Sequence, residues 1–167
     1  MSQTLLTVTD LCMRFGGLLA VDHVSFEVKS DQVFAIIGPN GAGKTTVFNC
    51  IGGFYKPTAG HIQLGDTPIH ALPSHKVAQM GLVRTFQNVR LFKNLTVLEN
   101  LLVAQHQRLN TRLLAGLLKT PAYRRAEEEA RVQAAWWLDY MNLRPYANRE
   151  AGNLAYGHQR RLEIARC

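Results

Sequence analysis

Cysteine is scarce in this sequence. Cys12, Cys50 and Cys167 are the three present, an odd number with no Cys-x-x-Cys or Cys/His ligand spacing. That excludes a disulfide framework and a zinc site of ordinary spacing, and it fits a reducing compartment. Acidic residues are also short: 12 Asp and Glu stand against 19 Lys and Arg, a formal net charge of +7. The deficit points to a polyanionic partner (nucleotide, nucleic acid or an anionic membrane face) or to an acidic half of the protein lying elsewhere. Long hydrophobic runs are missing too. "VFAIIG" at 33–38 is among the most apolar stretches, far short of the about 20 residues that cross a bilayer as a helix. The opening "MSQTLLTVTD" has neither the basic start nor the apolar core of a secretory signal. These absences predict a soluble or peripheral protein without internal repeats or low-complexity linkers.

What is there is a globular balance. Hydrophobic residues make up 47% and charged residues 19% of 167 positions, enough for one compact domain with a core. "LLTVTDLCMRF" alternates, with Leu6, Val8 and Leu11 on one side. "VDHVSFEVKS" alternates more clearly, with Val24, Phe26 and Val28 opposite Ser25, Glu27 and Lys29. Period two with β-branched residues predicts half-buried antiparallel strands, joined by a turn at Gly16-Gly17. The continuous apolar run "VFAIIG" predicts a strand buried on both faces. "HIQLGD" at 61–66 predicts a short strand after a Pro57/Gly60 turn, and "LVRTFQ" at 82–87 another. "SHKVAQMG" at 74–81 predicts a helix with Ser74 as N-cap.

From Thr96 the pattern turns helical. "TVLE" is a capping box, with Thr96 at the N-cap and Glu99 three residues on. Leu98, Leu101 and Leu102 follow at helical spacing, then Leu113, Leu114, Leu117 and Leu118, with Pro121 as an interruption. "AYRRAEEEARVQAAWWLDYM" combines strong helix formers with a stripe of Ala130, Ala134, Trp137 and Leu138.

Between Gly38 and Thr46 the chain reads "GPNGAGKTT". A glycine, four residues and Gly43-Lys44-Thr45 make the Walker A spacing, set between an apolar strand and a helical pattern as that motif requires. Gly38, Gly41 and Gly43 permit backbone angles and close approach that a Cβ would block. The loop from Gly38 through Pro39, Asn40, Gly41, Ala42 and Gly43 can then form a concave nest of N–H groups for phosphate. The helix starting near Lys44 adds the positive end of its dipole. Lys44 supplies charge to the β- and γ-phosphates, Thr45 a hydroxyl for Mg²⁺, and Thr46 a contact to the α-phosphate. The pattern predicts nucleotide binding without separating ATP from GTP.

Two more stretches complete a series. "RTFQNVRLF" at 84–92 places Gln87 after a strand, and "LAYGHQRRLEIARC" runs from Leu154 to Cys167. Walker A, a strand-terminal Gln and a Gly-containing helix start, in this order around a helical segment, resemble the nucleotide-binding domain of an ABC transporter. The resemblance runs along the whole chain. It is strongest to the ATPase subunits of branched-chain amino acid importers, through "GPNGAGKTTVFNCIGGFYKPTAGHI", "GLVRTFQNVRLFKNLTVLENLLVAQHQ" and "NLAYGHQRRLEIARC". It implies an α/β fold: a P-loop NTPase core of the ABC type with an N-terminal antiparallel β-subdomain and a helical subdomain, the C-terminal part of the core sheet missing. The implied division is 1–94 (β-subdomain, Walker A core and Q-loop), 95–153 (helical subdomain) and 154–167 (signature helix).

The resemblance also implies roles. Phe15 matches the aromatic that stacks on adenine, with a core aromatic as the equal alternative. Gln87 matches the Q-loop glutamine that reaches Mg²⁺ and the attacking water, in a loop that touches the membrane subunits. Leu154, Ala155, Tyr156, Gly157 and His158 match the Leu-Ser-Gly-Gly-Gln signature, which faces an ATP held by the Walker A of the opposite subunit. Ala155 removes the serine hydroxyl, Tyr156 replaces a glycine and His158 the glutamine, so a weaker composite site is expected. Arg160 and Arg161 predict a solvated helix face, with a phosphate or dimer contact as the alternative. The Walker B Asp, the catalytic Glu and the switch His follow the signature in that family. Residues 1–167 alone are therefore expected to bind ATP weakly, not to hydrolyse it, and to be unstable.

The implied protein is an ATPase that uses ATP and Mg²⁺ to drive uptake of branched-chain amino acids, peripheral on the cytoplasmic face of the inner or cell membrane. Its implied partners are a second ABC ATPase subunit (heterodimer or homodimer), two integral-membrane permease subunits near the Q-loop and, indirectly, a periplasmic or extracellular substrate-binding protein, with no nucleic acid. A soluble ABC ATPase of DNA repair or translation is a rival, though 95–150 is short for the coiled-coil insertion such proteins carry. A P-loop GTPase or small-molecule kinase, and a non-catalytic nucleotide-binding fragment, are the others.

Overall fold

The structure, a computed structural model, describes residues 3–85, 90–105 and 121–167. They fall into two units, Met1–Val83 and Arg84–Cys167.

In the first unit β1 (Thr4–Phe15) and β2 (Leu18–Lys29) form a hairpin. β1 also pairs with β3 (Ala59–Leu64), and β3 with the two-residue β4 (Thr67–Pro68), all antiparallel, in the order β2-β1-β3-β4. The hairpin closes at Gly16-Gly17 as the sequence predicts, and Gly16 takes φ 56°, the positive angle that a tight hairpin turn needs. Val8 and Leu11 are both buried although their parity differs. The register slips between them, and Asp10 in the gap has φ 48°. Val21 and Val24 face inward across the same kind of break, at His23 with φ 45°. Each bulge resets which parity faces the core.

Behind the sheet lie α1 (Lys44–Ile51) and α2 (Ser74–Gln79). Val47, Cys50 and Ile51 of α1 and Val77 of α2 join Val8, Leu11, Val21 and Ile62 in one core. Ser74 is the first residue of α2 rather than its cap. Extended Pro73 holds the N-cap position, and its carbonyl accepts from the N–H groups of Lys76 and Val77.

"VFAIIG" departs from its predicted state. It forms no ladder, and it is not buried on both faces: Val33 is 99% and Ile37 90% exposed. Phe34 stacks on Phe26 with ring centroids 4.9 Å apart, and Ile36 packs against the sheet core. One side of the segment is therefore seated and the other open. A parallel strand needs hydrogen-bonded neighbours, and no described strand pairs with this segment. Residues 82–85 likewise form no strand, and the rest of "LVRTFQ" lies outside the described residues.

The second unit is helical: α3 (Val97–Gln105), α4 (Pro121–Tyr140) and α5 (Tyr156–Arg166), with single 3₁₀ turns at Arg144–Tyr146 and Ala151–Asn153. Val97, Leu101, Ala134, Leu138, Leu143, Leu154 and Leu162 form its core. The capping box is present: the Thr96 N–H donates to Glu99 Oε2 at 2.7 Å, and the Glu99 N–H to Thr96 Oγ1 at 3.2 Å. The backbone and hydroxyl of Thr96 hold the Glu99 carboxyl below its usual range. Pro121 is the first residue of α4, a position where its missing N–H costs nothing; the stretch before it, which the sequence expects it to interrupt, lies outside the described residues. The stripe of Ala130, Ala134 and Leu138 is buried, with Trp137 packed beside the core. Leu113, Leu114, Leu117 and Leu118 lie outside the described residues.

Candidate functional site

Residues 38–46 run from the apolar segment into α1. The N-cap of α1 is Gly43, left-handed at φ 80°, ψ 1°. A Cβ there would lie 2.3 Å from the carbonyl oxygen of Ala20 on β2. Glycine is thus required twice at this position, by its angle and by the approach of the β2 backbone. Lys44 Nζ donates to the carbonyl oxygens of Gly38 at 2.7 Å and Pro39 at 2.6 Å, closing the loop on itself. The Ala42 N–H donates to Pro39 O at 3.3 Å. Asn40, Gly41, Ala42 and Thr45 are exposed and Thr46 is half-buried. No acidic residue sits in the first turn of α1. A helix start, one ammonium and two hydroxyls without a counter-charge form a donor set suited to a polyphosphate.

Phe15 ends β1 and is 41% exposed, so its ring is not part of the core. Its contact is with Tyr55, edge-on at 5.3 Å between centroids. Behind the loop, burial pushes the Cys50 thiol up to about 11. A thiol held neutral in an apolar helix face is not a nucleophile at neutral pH.

In the second unit, Leu154 is buried and Ala155 is the N-cap of α5. Ala155 brings no side-chain acceptor. Its carbonyl accepts from the N–H groups of His158 at 2.9 Å and Gln159 at 3.1 Å. Gln159 ties the helix start down instead: its Nε2 donates to Leu154 O at 2.9 Å and Gly152 O at 3.3 Å. The His158 ring lies 4.5 Å from that of Tyr146. Arg160 departs from the predicted solvated face. Its Nε donates to the Tyr156 hydroxyl at 2.9 Å and its Nη1 to Glu163 at 2.9 Å. Arg161 is exposed as predicted.

The Walker A residues are therefore brought together as one loop and helix start, and Leu154 to His158 as another helix start. Gln87 lies outside the described residues. Ala20, Tyr55 and Gln159 were not foreseen. Ala20 acts through its carbonyl and leaves no sequence signal. The Tyr156–Arg160–Glu163 spacing of four and three was a readable helix-face signal.

The ABC transporter family matches residues 21–167. Over all 167 residues the chain is 64% identical to the high-affinity branched-chain amino acid transport ATP-binding protein BraF of Pseudomonas aeruginosa, covering 100% of this chain and 66% of that one. It is 62% identical, with the same coverage, to the protein LivG of Escherichia coli K12, which carries the same description. The chain thus spans about 66% of the length of these relatives. Among solved structures it is similar to an ATP-binding cassette of an ABC transporter in its ADP conformation, with TM-score 0.80 and 33% identity over 98% of this chain and 64% of that one.

Proposed function

The chain belongs to the ABC transporter family, and from that membership we propose that it is the ATP-binding part of an importer for branched-chain amino acids. The observation that carries nucleotide binding is the loop at 38–46, with left-handed Gly43 against Ala20 and Lys44 closing the turn. Identity of 62–64% to proteins named for branched-chain amino acid transport supports the cargo.

In this reading the backbone from Gly38 to Gly43, including Pro39, Asn40, Gly41 and Ala42, cradles the phosphates of ATP. Lys44 compensates the β- and γ-phosphate charge, and Thr46 meets the α-phosphate. The half-exposed Phe15 ring stacks on adenine. Mg²⁺, when bound, neutralises charge on the phosphates and takes oxygen ligands. The exposed hydroxyl-bearing Thr45 at the helix start fits that chemistry, and Thr45 and Gln87 are the residues that would hold the ion. Residues 95–153 serve as the helical subdomain. Leu154 to His158, at the start of α5, face the nucleotide of a second cassette subunit, in a heterodimer whose two sites differ. Hydrolysis takes in addition the carboxylates that the family carries C-terminal to its signature.

No helix of the described residues is long and apolar enough to cross a membrane. We place the protein on the cytoplasmic face, against two integral-membrane permease subunits served by an external substrate-binding protein. The test is uptake of labelled leucine by cells lacking their own cassette of this type. The natural protein should restore uptake and its Lys44→Ala variant should not. Equal uptake with both would refute the proposal.

A further inference from the structure

We propose that Arg160 is a positioning residue of the composite nucleotide site: it holds the Tyr156 ring aside so that the start of α5 stays open to a phosphate. This rests on the functional reading above. Tyr156 stands where the resembled signature has glycine, and it is the first residue of α5. A helix start binds an anion through its first N–H groups. A large side chain there either lies across those groups or folds back along the helix.

The structure has it folded back. The Tyr156 hydroxyl accepts from Arg160 Nε at 2.9 Å, and the guanidinium carbon lies 5.3 Å from the ring centroid. Arg160 is itself anchored one turn further on by Glu163, which is only 6% exposed. The carboxylate is buried and bonded to the guanidinium, so it restrains the guanidinium and, through it, the ring.

The other side chains near the opening are committed elsewhere. Ala155 has nothing beyond Cβ, His158 lies against Tyr146, and Gln159 is bonded to Leu154 and Gly152. A Cβ on Gly157 would meet nothing within 4 Å. Tyr156, 64% exposed, is the large side chain whose direction decides access. The first turn of α5 carries no acidic residue. A guanidinium drawn toward a helix N-terminus gains nothing from the dipole. It is held there by the Tyr156 ring and hydroxyl on one side and by Glu163 on the other.

The test is a double-mutant cycle on the ATPase activity of the assembled cassette complex, reading kcat and KM for ATP separately. Arg160→Ala should raise KM about ten-fold, the scale of one lost charged hydrogen bond, with kcat unchanged. Tyr156→Phe, which keeps the Arg160–Glu163 pair, should raise KM in the same direction. In a Tyr156→Gly background no ring needs holding, so Arg160→Ala should leave KM as it is. The same KM cost in both backgrounds, or no KM change in Arg160→Ala and Tyr156→Phe, overturns the inference. If Arg160→Ala fails to fold, the Tyr156→Phe arm decides alone. Lys44→Ala run alongside separates the two levels. Activity that survives it refutes the ATPase reading, whereas activity lost there with an additive cycle refutes only the role of Arg160.

Discussion

A methyl group on Gly43 would sit 2.3 Å from the carbonyl oxygen of Ala20. The loop at 38–46 is thus wedged against the hairpin strand β2, and the hairpin helps to set the loop's shape. Gly43→Ala meets two penalties, the left-handed φ of 80° and this contact. Gly41→Ala meets only the first, since its φ is 88° with nothing within 4 Å. The angle alone costs about 1–2 kcal/mol. Gly43→Ala should therefore lower nucleotide affinity and the unfolding midpoint more than Gly41→Ala. Equal effects would mean that Ala20 imposes nothing.

Thr96 and Glu99 exchange hydrogen bonds across the first turn of α3. Thr96→Ala should destabilise the protein by about 1 kcal/mol, as an N-cap loss does, measured by denaturant unfolding. The folded Glu99 carboxyl is held below its ordinary value. Its contribution is therefore fully present above that ordinary value and is lost as pH falls through the lowered one. The stability gap between the protein and Glu99→Gln should be widest near neutral pH and close in acid. A gap that widens in acid would contradict the sign.

Cys50 is buried in α1, and burial pushes its thiol up to about 11. Maleimide near neutral pH, where neutral thiols react slowly, should spare Cys50 until denaturant is added. Peptide mass spectrometry reads this directly. Native-state labelling of Cys50 would show that the loop helix opens readily.

Ala155 caps α5 without a side-chain hydrogen bond. Ala155→Ser should add a cap worth about 0.5–2 kcal/mol of stability. Combined with His158→Gln, it should also tighten the composite site by up to about 1.5–3 kcal/mol, one hydrogen bond to a charged group. Stability rising without any gain in nucleotide occupancy or turnover would confine Ala155 to a structural role.

The sequence was legible where the structure is local. The loop at 38–46 and the Thr96–Glu99 box are each written within nine residues; the box makes its hydrogen bonds, and the loop leads into a helix that starts at Lys44. What stayed hidden depends on partners distant in sequence or on exceptions to period. The bulges at Asp10 and His23 reverse the alternation that the pattern assumed. "VFAIIG" has the composition of a doubly buried strand, yet pairing needs neighbours, and no described strand supplies them. Ala20 matters by its carbonyl, which every residue carries. Arg160 looked like one of two surface charges because the Arg160–Arg161 pair was read without the tyrosine four residues before it and the glutamate three residues after it.

The most direct test of the account is the affinity for magnesium-ATP, by titration calorimetry, of the natural protein and its Lys44→Ala variant. Lys44 spans Gly38 and Pro39 with its ammonium, and its loss removes charge and loop closure together. The account predicts saturable binding that weakens about ten- to hundred-fold in the variant, the range of a lost charged hydrogen bond. Binding of equal strength in both proteins would contradict it.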